Sequence, residues 1–336
     1  MRIRPFAALA AAAAALLVLA GCAAGTPAAS GGAASADSSF PVTIRHAFGS
    51  TTIASAPKRV VTLGWGSGDA AIALGVDPVA IPFDSYAGDK DGVLPWIRDA
   101  LEKKGAKLPT MLPASSDDPP YAQIAAAKPD VILAVYSGIT KEQYALLTKI
   151  APVVAYPDQA WSTPWRDIIT TVGTALGRQG RAKSVLTGID EKLAAAKKAN
   201  PQFEGKTIAA VVDSAGTFYV YKKNDPRVSL LTDLGFTVAP AVDELANGDQ
   251  TFFYTLSYER LDQLKSDTLL VYAGTQADAD AFRNSPQDAA IPAVKAGRYA
   301  TIVGTAKVSA VSPPTALSLP WGLDDLVSGL AGAVSK

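Results

Sequence analysis

From Trp165 to Ala199 apolar residues recur at helical spacing: Ile168, Ile169, Val172 and Leu176, then Val185, Leu186, Ile189 and Leu193. Gly177, Gly180 and Gly188 interrupt the stretch, and no proline does. A 3.6-residue period sustained this far predicts one long or once-broken helix with a face to bury. On both sides the pattern changes to short β-branched runs that alternate with helical segments. RVVTLGW (59–65), DPVAIPF (77–83), DVILAVY (130–136) and PVVAY (152–156) read as strands. Asp69–Leu74, Tyr121–Lys128 and Lys141–Ile150 read as the helices between them. Strands that are apolar throughout are buried on both faces, which in this order means a parallel sheet covered by helices. VTIRHAF (42–48) instead alternates with period two ahead of Gly49 and predicts an opening hairpin. After the helix the alternation restarts. Strands are expected at Thr207–Val212, Thr268–Tyr272 and Tyr299–Val303. Helices are expected at Ser229–Leu234, Tyr258–Lys265, Ala277–Asn284 and, closing the chain, Asp324–Val334.

The expected fold class is therefore α/β: two Rossmann-like lobes with mainly parallel sheets, joined by one long helix. The first lobe is placed at 41–164, the connecting helix at 165–200 and the second lobe at 201–336. Ahead of them, Arg2 and Arg4 precede an apolar run from Phe6 to Ala20, and small residues lead to Cys22. That is the pattern of a signal peptide over 1–21, and its apolar run is too short to cross a bilayer core of about 30 Å. A cysteine directly after such a site resembles the lipobox of bacterial lipoproteins, so Cys22 is expected to carry the lipid. Residues 22–40 are rich in Gly, Ala and Ser and read as a flexible tether. The expected place is the extracytoplasmic face of the cell membrane, held by acyl chains. Lys plus Arg and Asp plus Glu are 31 each, so no basic excess exists to hold nucleic acid. With Cys22 the only cysteine and His46 the only histidine, disulfides and Cys- or His-rich metal sites are excluded.

In open α/β sheets, ligands bind beyond the carboxyl ends of the strands. The residues there are the pocket candidates: Trp65, Tyr86, Tyr136, Ser137, Tyr156 to Trp161, Tyr219 to Lys223 and Val303 to Lys307. Their tryptophans and tyrosines offer contact area and an orienting N–H or O–H to a large, flat ligand. Catalytic motifs fail. Gly64-Trp65-Gly66-Ser67-Gly68 imitates a dinucleotide loop, but Asp69 fills the third glycine slot and would repel a pyrophosphate. Gly205-Lys206-Thr207 lacks the first P-loop glycine, and no G-x-S-x-G elbow forms at Ser67. His46 lies in the hairpin, away from the expected cleft, and reads as structural.

Four stretches together resemble one family: APKRVVTLG (56–64), IAAAKPDVILAVYSG (124–138), YALLTKIAPVVAYP (144–157) and LSYERLDQLKSDTLLVY (256–272). They are similar, in order and spacing, to the ABC-transporter substrate-binding proteins for ferric siderophores, haem and cobalamin. The resemblance runs from about Val42 to the C-terminus. It implies two lobes on a rigid helix, a ferric siderophore bound between them, and delivery to an ABC permease by a monomer. Iron would travel inside the chelate, so no cofactor of the protein's own is expected, and neither is enzyme activity. Family members that bind anionic chelates use inward arginines, whereas Val308 and Ser309 stand where one is common and the segment at Ser115 and Ser116 lacks another. Arg227, Arg98, Lys222 and Lys223 are the substitutes available, and a neutral or weakly charged hydroxamate-type chelate is favoured. Haem is the alternative ligand, with Tyr136, Tyr221 or Tyr254 as axial donor; a secreted enzyme on the same fold is the remote one. The resemblance also marks Glu259 as the permease-docking acid of the second lobe. In the first lobe Ala122 takes the matching position, leaving Asp117 or Asp118 for the role or an asymmetric docking.

Overall fold

The computed structural model describes residues 40–114 and 118–335. The signal peptide, Cys22, nearly all of the tether, Ser115, Ser116 and Asp117 lie outside the described residues. The hairpin pairs β1 (Val42–His46) with β2 (Gly49–Ile53). The first lobe then runs β3 (Val60–Thr62), α1 (Ser67–Ala73), β4 (Ala80–Pro82), α2 (Pro95–Lys103) and β5 (Thr110–Leu112). It continues with α3 (Tyr121–Ala126), β6 (Val131–Ala134), α4 (Lys141–Leu147) and β7 (Val153–Ala155). Its sheet is parallel throughout, in the order β5-β4-β3-β6-β7. The order reverses between β3 and β6, so the loops after those two strands open onto a crevice. His46 is buried in the hairpin, its Nε2 3.0 Å from Thr51 Oγ1, and serves packing against Tyr144.

The central helix is two helices, α5 (Trp165–Ala175) and α6 (Gln179–Ala199). This is the once-broken form, and Gly177 makes the break. It adopts φ 62°, and the Gly177 and Arg178 amides return to the Thr174 and Gly173 carbonyls. That is a Schellman stop, which a residue with a Cβ adopts only with strain. α5 packs on α1 in the first lobe, and α6 packs on second-lobe elements. Arg166 on α5 bridges them, donating 2.7 Å to Asp190 on α6 and 2.8 Å to Asp233 in the second lobe.

The second lobe starts with β8 (Thr207–Ser214), β9 (Thr217–Tyr221), α7 (Pro226–Asp233), β10 (Thr237–Val238) and α8 (Pro240–Glu244). It continues with β11 (Phe253–Leu256), β12 (Thr268–Ala273), α9 (Gln276–Asn284), α10 (Pro292–Lys295) and β13 (Tyr299–Val303). α11 (Thr305–Val311) and α12 (Ser318–Val334) complete it. This sheet is mixed rather than mainly parallel: β9 pairs antiparallel with both β8 and β11, beside parallel β8-β12-β13. Ala215 and Gly216, at φ 50° and 74°, make the two-residue turn that folds β9 back on β8. The helix expected at Tyr258–Lys265 is a 3-10 turn, Tyr258–Gln263.

One core runs through both lobes, from Val60 and Ile169 through Ile189 to Leu270 and Leu326. Smaller cores cover the far faces of the two sheets. The lobes therefore share an apolar body of α5, α6 and α12 behind the crevice. No helix among the described residues is long and apolar enough to cross a membrane.

Candidate ligand-binding cleft

Loops from both lobes enclose a cavity of about 450 Å³ beyond the carboxyl ends of β3, β4, β8 and β12. Gly64 fixes its first-lobe wall. It sits at φ 68°, and a Cβ there would lie 2.2 Å from the Tyr136 carbonyl oxygen. With no side chain in the way, the Trp65 amide donates 3.0 Å to that carbonyl, and the indole stands out 46% exposed. Behind it lie Trp161 and Tyr136, with ring centroids 5.0 and 6.2 Å from Trp65. Trp161 crosses Gly138 so closely that a Cβ there would meet the indole nitrogen at 2.2 Å.

Arg227 is the only basic residue lining the cavity among the described residues. Asp225 caps α7 by accepting from the Arg227 amide, and Pro226 occupies the first helical position. This turn brings the two side chains into a buried ion pair of 2.7 Å, with the Arg227 Nε donating 2.6 Å to Ser312 Oγ. The guanidinium lies 4.5 Å from the centre of the Tyr221 ring. Burial pushes the Asp225 carboxyl up and Arg227 pulls it back. A pair desolvated to this extent must stay matched, because either charge alone would be costly.

Asp69, buried at the floor, ties the lobes together. Its Oδ1 accepts from Trp96 Nε1 at 2.6 Å and from the hydroxyl of Thr315 in the second lobe. Burial pushes this carboxyl up, with both hydrogen bonds opposing. At the rim Tyr86 crosses from the first lobe to Gly274 on the second, where a Cβ would lie 3.0 Å from its hydroxyl. Burial raises the Tyr86 phenol, and the charge of Asp278 adds to it.

Of the residues expected at the site, Trp65, Tyr86, Tyr221 and Arg227 line the cavity. Tyr136 is 1% exposed and backs Trp65, as does Trp161. Ser137 is buried and donates to the Ala134 carbonyl at 2.8 Å. Tyr219 shares the Tyr221 face but meets Phe253 edge to face, outside the lining. Tyr254 is a correction: it pairs in register with Val220, on the opposite face from Tyr221, and is buried in the far core. Val303 to Lys307 also fall outside the lining, which draws on Val308, Ser309, Ser312, Pro313 and Thr315 instead. Arg98 pairs with Asp89 and Asp91, Lys223 with Asp243, and Lys222 donates to the Gln250 carbonyl, so none of the three lines it. The sequence reading missed Asp69, Asp84, Trp96, Tyr272, Asp278 and Thr315. A signal existed for Asp84, two residues beyond β4. Thr315 had none.

A family profile described as periplasmic binding protein matches residues 60–304. The chain belongs to this family. The lipobox-like Cys22 lies outside the matched residues. Among curated members, the ferric enterobactin-binding periplasmic protein FepB of Escherichia coli is 28% identical, over 77% of this chain and 82% of that protein. The probable siderophore-binding lipoprotein YfiY of Bacillus subtilis is 28% identical, over 71% of each chain. Among solved structures, Streptococcus pneumoniae PiaA in complex with ferrichrome superposes with a TM-score of 0.78 at 32% identity. That match covers 87% of this chain and 98% of the other. The periplasmic binding protein fold thus places the described cavity between its two lobes.

Proposed function

We propose that this periplasmic binding protein captures a ferric siderophore in the inter-lobe cavity and hands it to an ABC importer. The observation that carries the reading is the cavity wall: an exposed indole, Trp65, faces Tyr86, Tyr221 and a buried arginine whose charge is already met by Asp225. Rings of this kind cover a bulky chelate, and a compensated arginine orients it without demanding an anion. The relatives named for ferric enterobactin and siderophores, and the neighbour solved with ferrichrome, support the same cargo. A neutral or weakly charged hydroxamate chelate suits this wall better than a trianionic catecholate. The protein acts by binding and release, not as an enzyme, and Cys22 holds it by lipid at the extracytoplasmic face. Glu259, exposed on the second lobe, is the docking acid; on the first lobe Asp118, held by Gln143 at 3.1 Å, is its counterpart.

Haem places a sharper demand on the site, a tyrosine that can reach the iron. Only Tyr221 of the three candidate tyrosines lines the cavity, and burial pushes its phenol up, away from the tyrosinate an axial ligand needs. Titrating the purified protein with ferrioxamine B and with haemin, following tryptophan fluorescence and the visible band, tests the reading. Saturable quenching by the chelate is expected, and a haemin band with no response to any chelate would overturn it.

A further inference from the structure

Five charged side chains line the cavity: Asp69, Asp84, Asp213, Asp278 and Arg227. Arg227 is cancelled by Asp225 behind it. Asp69 is buried with its carboxyl pushed up. Asp213 is engaged by the Tyr258 hydroxyl at 2.6 Å. Asp84 and Asp278 remain, one from each lobe, and neither joins an ion pair among the described residues. Each uses a single oxygen within the protein. Asp84 Oδ1 accepts from the amides of Tyr86, Ala87 and Gly88, and Asp278 Oδ2 accepts from Thr275. The other oxygen of each accepts none of the hydrogen bonds among the described residues.

Tyr86 stands beside Asp84, its amide donating to Asp84 Oδ1 at 2.9 Å, and the charges of both carboxylates act on its phenol. Its ring is 53% exposed and that of Trp65 46%, so two aromatic faces stand beside the carboxylates. Faces of this kind attract cations as carboxylates do. A further buried group awaits a partner in the same cavity: Thr62, 1% exposed, lines it with a hydroxyl that has none. A buried hydroxyl left unmatched in this way is costly unless a ligand or water meets it.

We propose that the cleft holds a subsite for a positively charged group, formed by Asp84 and Asp278 around Tyr86, and that the preferred cargo is a ferric chelate bearing a protonated amine. This rests on the ferric-chelate reading above and narrows it by charge. The chelate core sits against Trp65 and Tyr221, and its ammonium lies at the rim between the lobes. Because the two carboxylates come from different lobes, the same group that is recognised also draws the lobes onto the cargo. An anionic catecholate meets these carboxylates with no free cation in the lining to offset them.

The test compares ferrioxamine B, a ferric trihydroxamate with a free amine, with its N-acetylated form, which keeps the iron core and loses the charge. Two carboxylates within several ångströms of an ammonium at a protein surface predict at least about tenfold tighter binding of the amine form at low salt. That ratio should shrink as salt rises. Asp84→Asn and Asp278→Asn should each narrow it. The ligand-side comparison needs no variant, so misfolding cannot mask the answer. Equal affinity for the two chelates overturns the subsite and leaves the ferric-chelate reading standing. Failure of both to bind defeats that reading and the subsite with it.

Discussion

Asp288 offers a direct test of how this fold handles a buried charge. It is fully buried in the 3-10 turn Asp288–Ala290, with Ser285 and the Asp213 carboxyl beside it. Burial pushes its pKa up to about 7, and the negative charge of Asp213 beside it adds to the shift. In the unfolded chain the same group titrates near 3.9. Between those values the folded protein holds a proton that the unfolded chain has released, so stability falls as pH rises. The slope approaches 1.36 kcal/mol per pH unit, giving a ceiling of about 4 kcal/mol over the window. Structural relaxation and entry of water cut such penalties, so about 2 kcal/mol between pH 5 and 8 is the working figure. Asp288→Asn keeps the shape and never ionises. Urea unfolding should find the variant's stability advantage over the parent growing by about 2 kcal/mol between pH 5 and pH 8. Parallel stability curves for the two proteins from pH 5 to 8 would refute the argument.

Three further substitutions probe the rest of the frame. Gly64→Ala places a Cβ 2.2 Å from the Tyr136 carbonyl at a φ of 68°, and should cost about 3 kcal/mol or more in chemical denaturation with a weakened chelate response. Tyr254→Phe removes a buried hydroxyl that has no partner, so stability should hold or rise by up to about 1 kcal/mol and chelate affinity should not move. Asp69→Ala strands the Trp96 N–H and the Thr315 hydroxyl across the lobe boundary, and should cost about 2 to 4 kcal/mol by thermal or urea unfolding; no loss would show that the carboxyl does not join the lobes.

What was legible in the sequence follows from which interactions are local. Val60 to Leu63 declare a buried strand because every side chain there is apolar or β-branched, and the residues after it must then face the crevice; Trp65 follows from that alone. Asp225-Pro226 likewise marks a helix start, and the cap it forms is what places Arg227. Tyr254 was misplaced because the antiparallel β9-β11 pair went unseen. Once that register exists, strict alternation sends Tyr221 to the cleft and Tyr254 to the far core.

The cavity floor was illegible for a different reason. Asp69 read from sequence only as an obstacle to a nucleotide phosphate, because its partner Thr315 lies 246 residues away and nothing local to either predicts the other. The rim repeats the pattern: Asp84 and Asp278 each have a local task, ordering a turn and capping a helix, and those tasks alone would account for them. Only when the lobes face each other do the two carboxylates become a pair without a counter-charge. On the proposal above, the chain encodes its walls locally and its selectivity at the junction, so a substitution at one rim position should change selectivity while both sheets stay as they are.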